Sequence, residues 1–300
     1  MKKILVAGGT GFIGHHLLKK CVKKGWNTFS LSSGKISNKD KIKNVKYIFL
    51  DIRNKDKIKK LKKIKFNVVV NLSGEVDHKL KKKVIDTHFK GVKNLLNNLD
   101  IISLKSFVQV GSSAEYGKME KLQKENVLGS PISYYGKAKL SASNYLLKRK
   151  TFSSFSKCVL RLYQVYGPNQ KENRIIPYVI KNALLNKTFY CSTGKQIRDF
   201  IYIDDVISIF LFFMNNDCSG IYNVGSGRSI TYLSLIKHVF KSMNIKSNIE
   251  FIDMPLKIRD KYQYSTKAEL NKLRLAGYTK PFMEISESVD DYVLNYLIKK

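Results

Sequence analysis

The sequence predicts an α/β fold, a doubly wound parallel sheet followed by a smaller C-terminal α/β lobe. Short apolar, β-branched runs recur at residues 4–7, 28–31, 47–50, 68–71, 107–110 and 159–162. Amphipathic stretches suited to helical crossovers lie between them, at 12–24, 55–63, 79–98 and 134–150. The first run also leads straight into a glycine-rich turn that opens the first helical stretch. This rhythm is that of a parallel sheet wound with helices.

The first strand ends in Gly8-Gly9-Thr10-Gly11-Phe12-Ile13-Gly14. Gly8 permits a tight turn, Gly11 lets backbone amides approach a pyrophosphate, and Gly14 lets the helix pack closely on the strand. The amides around Thr10, Phe12 and Ile13 then face an anion from the helix N-terminus. A dinucleotide site follows from this arrangement. The fifth strand delivers Ser112 and Ser113 at its carboxyl end, where open parallel sheets bind ligands. Turn capping is the plain alternative for both hydroxyls.

The next helix begins Ser133-Tyr134-Tyr135-Gly136-Lys137-Ala138-Lys139. Tyr135 and Lys139 stand at i and i+4, on one helix face. A phenol ordinarily titrates near about 10, and an adjacent ammonium favours its ionised form, which makes Tyr135 a proton relay. Beyond about residue 165 the elements shorten, at 177–185, 205–214, 232–243 and 284–298. This divides the chain into a nucleotide domain at 1–165 and a substrate lobe at 166–300, partly interleaved with it.

Composition narrows the function classes. Hydrophobic residues make up 43% of the chain and prolines number five, as in a globular protein. No apolar run nears the roughly 18 residues that cross a bilayer, so no membrane insertion is expected. The opening Met1-Lys2-Lys3 run stops at Gly8, too soon for a signal peptide, and the expected location is cytoplasmic. Cys21, Cys158, Cys191 and Cys218 are scattered, without metal-like or disulfide-scaffold spacing. His15, His16 and His78 have no metal-like partners, and no metal is expected. The 55 Lys and Arg outnumber 23 Asp and Glu, for a formal charge of +32. The lysines run along the whole chain without an arginine- and aromatic-rich module, so they read as solvated faces and no specific nucleic acid is expected.

The order of these motifs, with Arg161-Leu162-Tyr163-Gln164-Val165-Tyr166-Gly167-Pro168 and Arg198-Asp199-Phe200-Ile201-Tyr202-Ile203-Asp204-Asp205 after them, resembles the extended short-chain dehydrogenases/reductases. Over essentially its full length the chain is similar to the NAD-dependent epimerase/dehydratase group acting on nucleotide sugars. The resemblance implies a Rossmann-type domain binding NAD(P) and a lobe holding a nucleotide sugar. It implies Tyr135 as catalytic acid/base, Lys139 as ribose ligand and pKa modulator, and Ser112 as partner of the reacting oxygen. Asp51 with Ile52 resembles the segment at adenine, and Leu72 and Ser73 lie where the backbone passes the cofactor. Ser113, Gln164, Arg198 and Arg259 fall at substrate positions, Gln164 where an Asn is common. Arg198 suits a diphosphate through its fork of donors, with pairing to Asp199, Asp204 or Asp205 as the alternative. A homodimer through helices 79–98 and 134–150 is also implied.

Departures from the family pattern point to the reaction. Relatives that dehydrate their substrate place an acid two positions after the Ser/Thr; here that position is Ala114, and Glu115 is out of register. Relatives that prefer NAD carry an Asp near Ser32, whereas Ser32, Ser33 and Lys35 suit a 2′-phosphate. His88 stands where relatives usually carry an Asn; a retained hydrogen bond and a surface histidine both fit. The expectation is NADP(H), with NAD(H) as the alternative, and NADPH-dependent reduction of an NDP-4-keto-6-deoxyhexose. An NDP-sugar 4-epimerase holding NAD tightly is the runner-up. A non-catalytic, cofactor-bound scaffold for RNA or another polyanion is the reading from another class, and the intact Ser112, Tyr135 and Lys139 set argues against it.

Overall fold

The computed structural model describes residues 1–75, 79–119, 122–152, 154–254 and 263–297. Its strands are Lys3–Ala7 (β1), Asn27–Ser32 (β2), Val45–Phe49 (β3), Val68–Asn71 (β4), Ser106–Ser112 (β5), Ser156–Leu162 (β6), Gln164–Tyr166 (β7), Phe189–Ser192 (β8), Ile197–Tyr202 (β9), Gly220–Val224 (β10), Ser229–Thr231 (β11) and Ile249–Ile252 (β12). The main sheet runs β10-β6-β5-β4-β1-β2-β3, and every pairing among β1 to β6 is parallel. The strand order reverses between β1 and β4, so a ligand crevice opens at their carboxyl ends. This is the doubly wound α/β architecture that the recurring apolar runs predict.

The chain divides into two compact units. The first comprises residues 1–117, 128–162 and 207–222. Residues 118–127 belong with the second unit, and 207–222 with the first. In the first unit Phe12–Lys23 (α1) buries Leu17, Leu18 and Cys21 and turns Lys20 and Lys23 outward in its last turn, as its amphipathic pattern requires. β4 is buried along its whole length, as expected of a parallel strand covered on both faces. Leu5, Val69, Phe107 and Val159 from four adjacent strands share a core with Leu95, Ala142 and Leu146 from the covering helices.

Two helical stretches break up. Residues 55–63 form Lys55–Ile58 (α2) and then a 3₁₀ turn, Lys59–Lys63, with Asn54 capping the start through its side chain. Residues 79–98, expected as one helix, form Lys81–Ile85 (α3), a π turn at Asp86–Lys90 and Gly91–Asn97 (α4). A π turn inserts a residue into the helical ladder and changes which side chains face inward. Here the one it buries is His88. Tyr134–Lys148 (α5) follows, with Ser133 accepting the Gly136 amide as its N-cap.

The second unit comprises residues 118–127, 163–206 and 223–300. In it β9 lies between β7, parallel to it, and β11, antiparallel, while β8 and β12 form a separate parallel pair. Its helices include Ile175–Leu184 (α6), Tyr232–Ser242 (α8), Asn271–Leu275 (α9) and Ile285–Tyr292 (α10); Ile203–Asn215 (α7) crosses between the units' segments. Asp199 anchors the unit from β9. Its carboxylate accepts from the Ser226, Gly227 and Ala268 amides and the Ser226 hydroxyl, at 2.7–3.0 Å. Burial pushes its pKa up to about 6, against the pull of those donors. Among the described residues no helix is long and apolar enough to cross a membrane.

Candidate active site

The first element of the site is the turn after β1. Gly8 has φ of +80°, and a Cβ there would stand 2.7–2.8 Å from the Leu72 carbonyl group and the Ser73 amide nitrogen. β4 thus passes against the turn at the sheet's reversal point. A Cβ on Gly14 would meet the Gly8 carbonyl oxygen at 2.3 Å, which is how closely α1 sits on the strand. Gly11 is the N-cap of α1 and offers no side chain to it, so the first amides of the helix, beside exposed Thr10 and half-buried Phe12 and Ile13, are open to an anion.

Beside this turn lies a cavity of about 180 Å³ lined by Ser32, Ser33, Asp51, Ile52, Arg53, Ser73, Glu75 and Lys83, among others. Asp51 accepts from Arg53 Nη2 at 2.5 Å and from Nε at 3.0 Å. That bond holds the Asp51 carboxyl below the usual carboxylate range. Arg53 Nη1 makes no hydrogen bond among the described residues. Lys83 pairs with Glu75 at 2.5 Å. Ser32 spends its hydroxyl on the Gly34 carbonyl, 3.0 Å away. Lys35 is exposed and does not line the cavity. The cations that line the cavity are Arg53 and Lys83. The loop after β4 is pinned along its length: the Leu72 amide to Ala7, the Ser73 amide to the Asn71 side chain, and the Glu75 backbone to His88 Nε2. A glycine-lined helix start at the reversal point and a cavity of this make-up fit a dinucleotide, its pyrophosphate at α1 and its adenosine end against Asp51 and Ile52.

The second element joins β5 to α5. Ser112 ends β5 and caps the 3₁₀ turn Ser113–Tyr116, its Oγ accepting the Ala114 amide at 3.2 Å. Glu115 is fully buried; it takes the Ser112 amide, the Ser143 hydroxyl and Arg161 Nε, each at 3.0 Å. It therefore points into the core, away from any substrate. A Cβ on Gly136 would lie 2.6 Å from the Ala114 carbonyl oxygen, so the first turn of α5 rests on this segment. Lys139 reaches the Val110 carbonyl at 3.0 Å, and its Nζ is 5.8 Å from the centre of the Tyr135 ring. The structure thus gathers Ser112, Ser113, Tyr135 and Lys139 around one end of β5. Burial pushes Lys139 down to about 8, with the Glu115 carboxylate opposing the shift.

His88 is 3% exposed, which excludes a surface histidine. Gln164 begins β7 and Arg198 lies on β9, both in the second unit. The Arg198 guanidinium donates to the carbonyls of Ile197 at 2.8 Å and Tyr264 at 3.1 Å. Arg259 and His78 lie outside the described residues. Among the described residues no cluster of three or more His, Cys, Asp or Glu could hold a metal. The sequence reading missed Arg53, Glu75 and Lys83. Arg53 carried a signal in its place two residues after Asp51, whereas Lys83 is indistinguishable within a run of lysines.

A dinucleotide cradle with a Ser, Tyr and Lys set beyond the next strands defines an enzyme of the extended short-chain dehydrogenase/reductase class. The chain belongs to the NAD dependent epimerase/dehydratase family, whose model matches residues 4–225. Its fold is similar to that of a UDP-N-acetylglucosamine 4-epimerase from Methanobrevibacter ruminantium M1, at TM-score 0.88 and 23% identity over 99% of this chain and 98% of that one. A UDP-glucose 4-epimerase from Thermotoga maritima superposes at 0.86 with 21% identity, over 99% of each chain. A dTDP-glucose 4,6-dehydratase from Bacillus anthracis, solved with NAD, gives 0.86 at 20% identity over 98% and 96%.

Two predictions follow from the buried charges. Arg161→Met leaves the buried Glu115 carboxylate without its hydrogen-bonded cation and is expected to cost about 3–5 kcal/mol in urea unfolding. Adding Glu115→Leu should restore most of that loss; additive losses would show that the pair is not the coupled unit described. For Lys139, folded and unfolded chains both hold the proton below about pH 8, and the folded state bears the cost of a buried charge. Between about 8 and the ordinary 10.5 only the unfolded chain holds it, so this residue's contribution to stability rises with pH across that window. Lys139→Met is expected to keep or raise Tm at pH 7 and to flatten that rise in thermal melts.

Proposed function

We propose that this enzyme uses NADP(H) to reduce the 4-keto group of a nucleotide-linked 6-deoxyhexose. The observation that carries the reading is the cofactor cavity. No carboxylate stands at the end of β2, and Arg53 offers an uncommitted Nη1 where a ribose 2′-phosphate would need a cation. Reduced, exchangeable NADPH is what a reductase consumes. Dehydration finds no support: Ala114 has no carboxylate, and Glu115 is committed to Arg161, Ser143 and the Ser112 amide.

A bound nicotinamide would supply the hydride. The chain's own residues handle the oxygen and its proton. Ser112 Oγ accepts from the Ala114 amide, which leaves its own O–H to donate to a sugar oxygen. Tyr135 gives that oxygen its proton. The Lys139 ammonium, held by the Val110 carbonyl near the phenol ring, then favours the tyrosinate left behind. Gln164 and Arg198, of the second unit, are the diphosphate ligands that the family resemblance implies.

A second reading, 4-epimerisation with retained NAD, is favoured by one observation. Asp51 with Arg53, and Glu75 with Lys83, balance the charges of the cavity, which suits an unphosphorylated ribose. Mass spectrometry of the nucleotide released on denaturation, followed by titration of any empty fraction with NADPH and NADH, separates the two. The reductase is expected to be empty or to release NADP(H). Arg53→Ala should then weaken NADPH by about tenfold or more, the loss of one charge-assisted hydrogen bond, and leave NADH unchanged. Stoichiometric NAD, with Arg53→Ala indifferent to the phosphate, would replace the reductase by the epimerase. In either reaction Tyr135→Phe should cut turnover by about 10²–10⁴ while cofactor binding persists; undiminished turnover on UDP- or dTDP-linked sugars would remove Tyr135 from the mechanism.

A further inference from the structure

His88 sits between the two halves of the site. From the π turn its ring meets the Tyr135 ring edge to face, with centroids 5.0 Å apart and planes at 86°. On its other side Nε2 is 3.1 Å from both the backbone nitrogen and the carbonyl oxygen of Glu75, accepting from the one or donating to the other according to the ring's tautomer. Glu75 and Gly74 line the cofactor cavity, and Glu75 holds Lys83 there. The space for the ring exists because residue 74 is glycine: a Cβ there would stand 2.6 Å from His88 Cε1. An imidazole brings to this place both an aromatic ring against the phenol and a hydrogen-bonding nitrogen for the loop. The π turn delivers it to a buried position between α5 and the loop after β4.

We propose that His88 is a positioning residue that ties the proton-handling Tyr135 to the loop walling the cofactor cavity. The proposal rests on the dinucleotide site argued above. It assigns one ring two tasks: its aromatic contact seats the phenol, and Nε2 holds the Gly74–Glu75 backbone that lines the cavity. Because these tasks use different atoms, two substitutions separate them. His88→Phe keeps an aromatic ring and loses the nitrogen. His88→Gln keeps a polar atom at the reach of Nε2 and loses the ring.

The experiment reads both tasks without knowledge of the sugar. The first readout is the dissociation constant for NADPH and for NADH, by nicotinamide fluorescence. The second is the ¹³Cζ resonance of Tyr135 in tyrosine-labelled protein, assigned by its absence from Tyr135→Phe. His88→Phe should weaken the preferred dinucleotide by up to about tenfold, the worth of one net hydrogen bond, and leave the Tyr135 resonance in place. His88→Gln should do the reverse, moving the resonance with affinity held. Gly74→Ala, whose methyl group would stand on the His88 ring, should move both. A general loss of folding would shift both readouts together in every variant, and that parallel pattern overturns the proposal. So do parent-like values in all three. If the parent protein binds neither dinucleotide, the site reading itself fails and the proposal with it; binding by the parent with unchanged variants sinks the role of His88 alone.

Discussion

Glu115 divides its two oxygens among the Ser112 amide, the Ser143 hydroxyl and Arg161 Nε, in a place with no exposed surface. Three elements meet at that carboxylate: the end of β5, the middle of α5 and the last part of β6. A buried carboxylate without such partners would be untenable, so the three elements are held in one relative arrangement by the cost of any other. The Ser112, Tyr135 and Lys139 set inherits this rigidity. Ser112 is the residue whose amide Glu115 holds, and Tyr135 and Lys139 ride on the helix that Ser143 anchors. Lys139 is also the second cation near this carboxylate, which is why burial lowers its pKa no further than about 8 and the residue keeps its charge at neutral pH.

The other half of the site is governed by backbone packing. At the reversal point between β1 and β4 the Gly8 turn and the Leu72–Ser73 segment approach so closely that no side chain fits between them. The crevice this opens faces the start of α1, whose first amides have no intrahelical partner and no side-chain cap, a place for an anion. Arg53 and Lys83 add cations, yet each already has a carboxylate, so the cavity presents positive charge that is partly spent. The formal charge of +32 is thus a poor guide to the site. Locally, Asp51 takes Nε and Nη2 of Arg53, and Nη1 makes no hydrogen bond among the described residues.

Much of this was legible in the sequence because it is encoded over short distances. The spacing of Gly8, Gly11 and Gly14 after an apolar run, and of Tyr135 and Lys139 along one helix face, are local patterns with direct geometric meaning. Glu115 was legible in part: its register said that it would not face a substrate, but not that it would bind Arg161, which is 46 residues away in the chain. The π turn at Asp86–Lys90 left no local sign, since its residues read as ordinary helix, and with it went the burial of His88. β10 pairs with no sequence neighbour, and the passage of 207–222 into the first unit depends on packing that no window of sequence contains. Lys83 was hidden by abundance.

The residues that escaped the sequence reading share a property: each does its work through a partner brought from elsewhere in the fold. His88 means little without Gly74, and Arg53 little without the Asp51 carboxylate that fixes two of its nitrogens and frees a third. The pairing of Gly74 with His88 also bears on how this chain departs from relatives that carry Asn at the same place. An Asn is shorter and lacks an aromatic edge, so it could satisfy the Glu75 amide or a neighbouring carbonyl but could not seat a phenol ring. Exchanging it for His requires room at Cε1, and only glycine at 74 leaves that room. The two positions are therefore one device. In this chain one ring meets the Tyr135 ring at a near-perpendicular angle on one side and, through its nitrogen, the backbone of the cavity wall on the other.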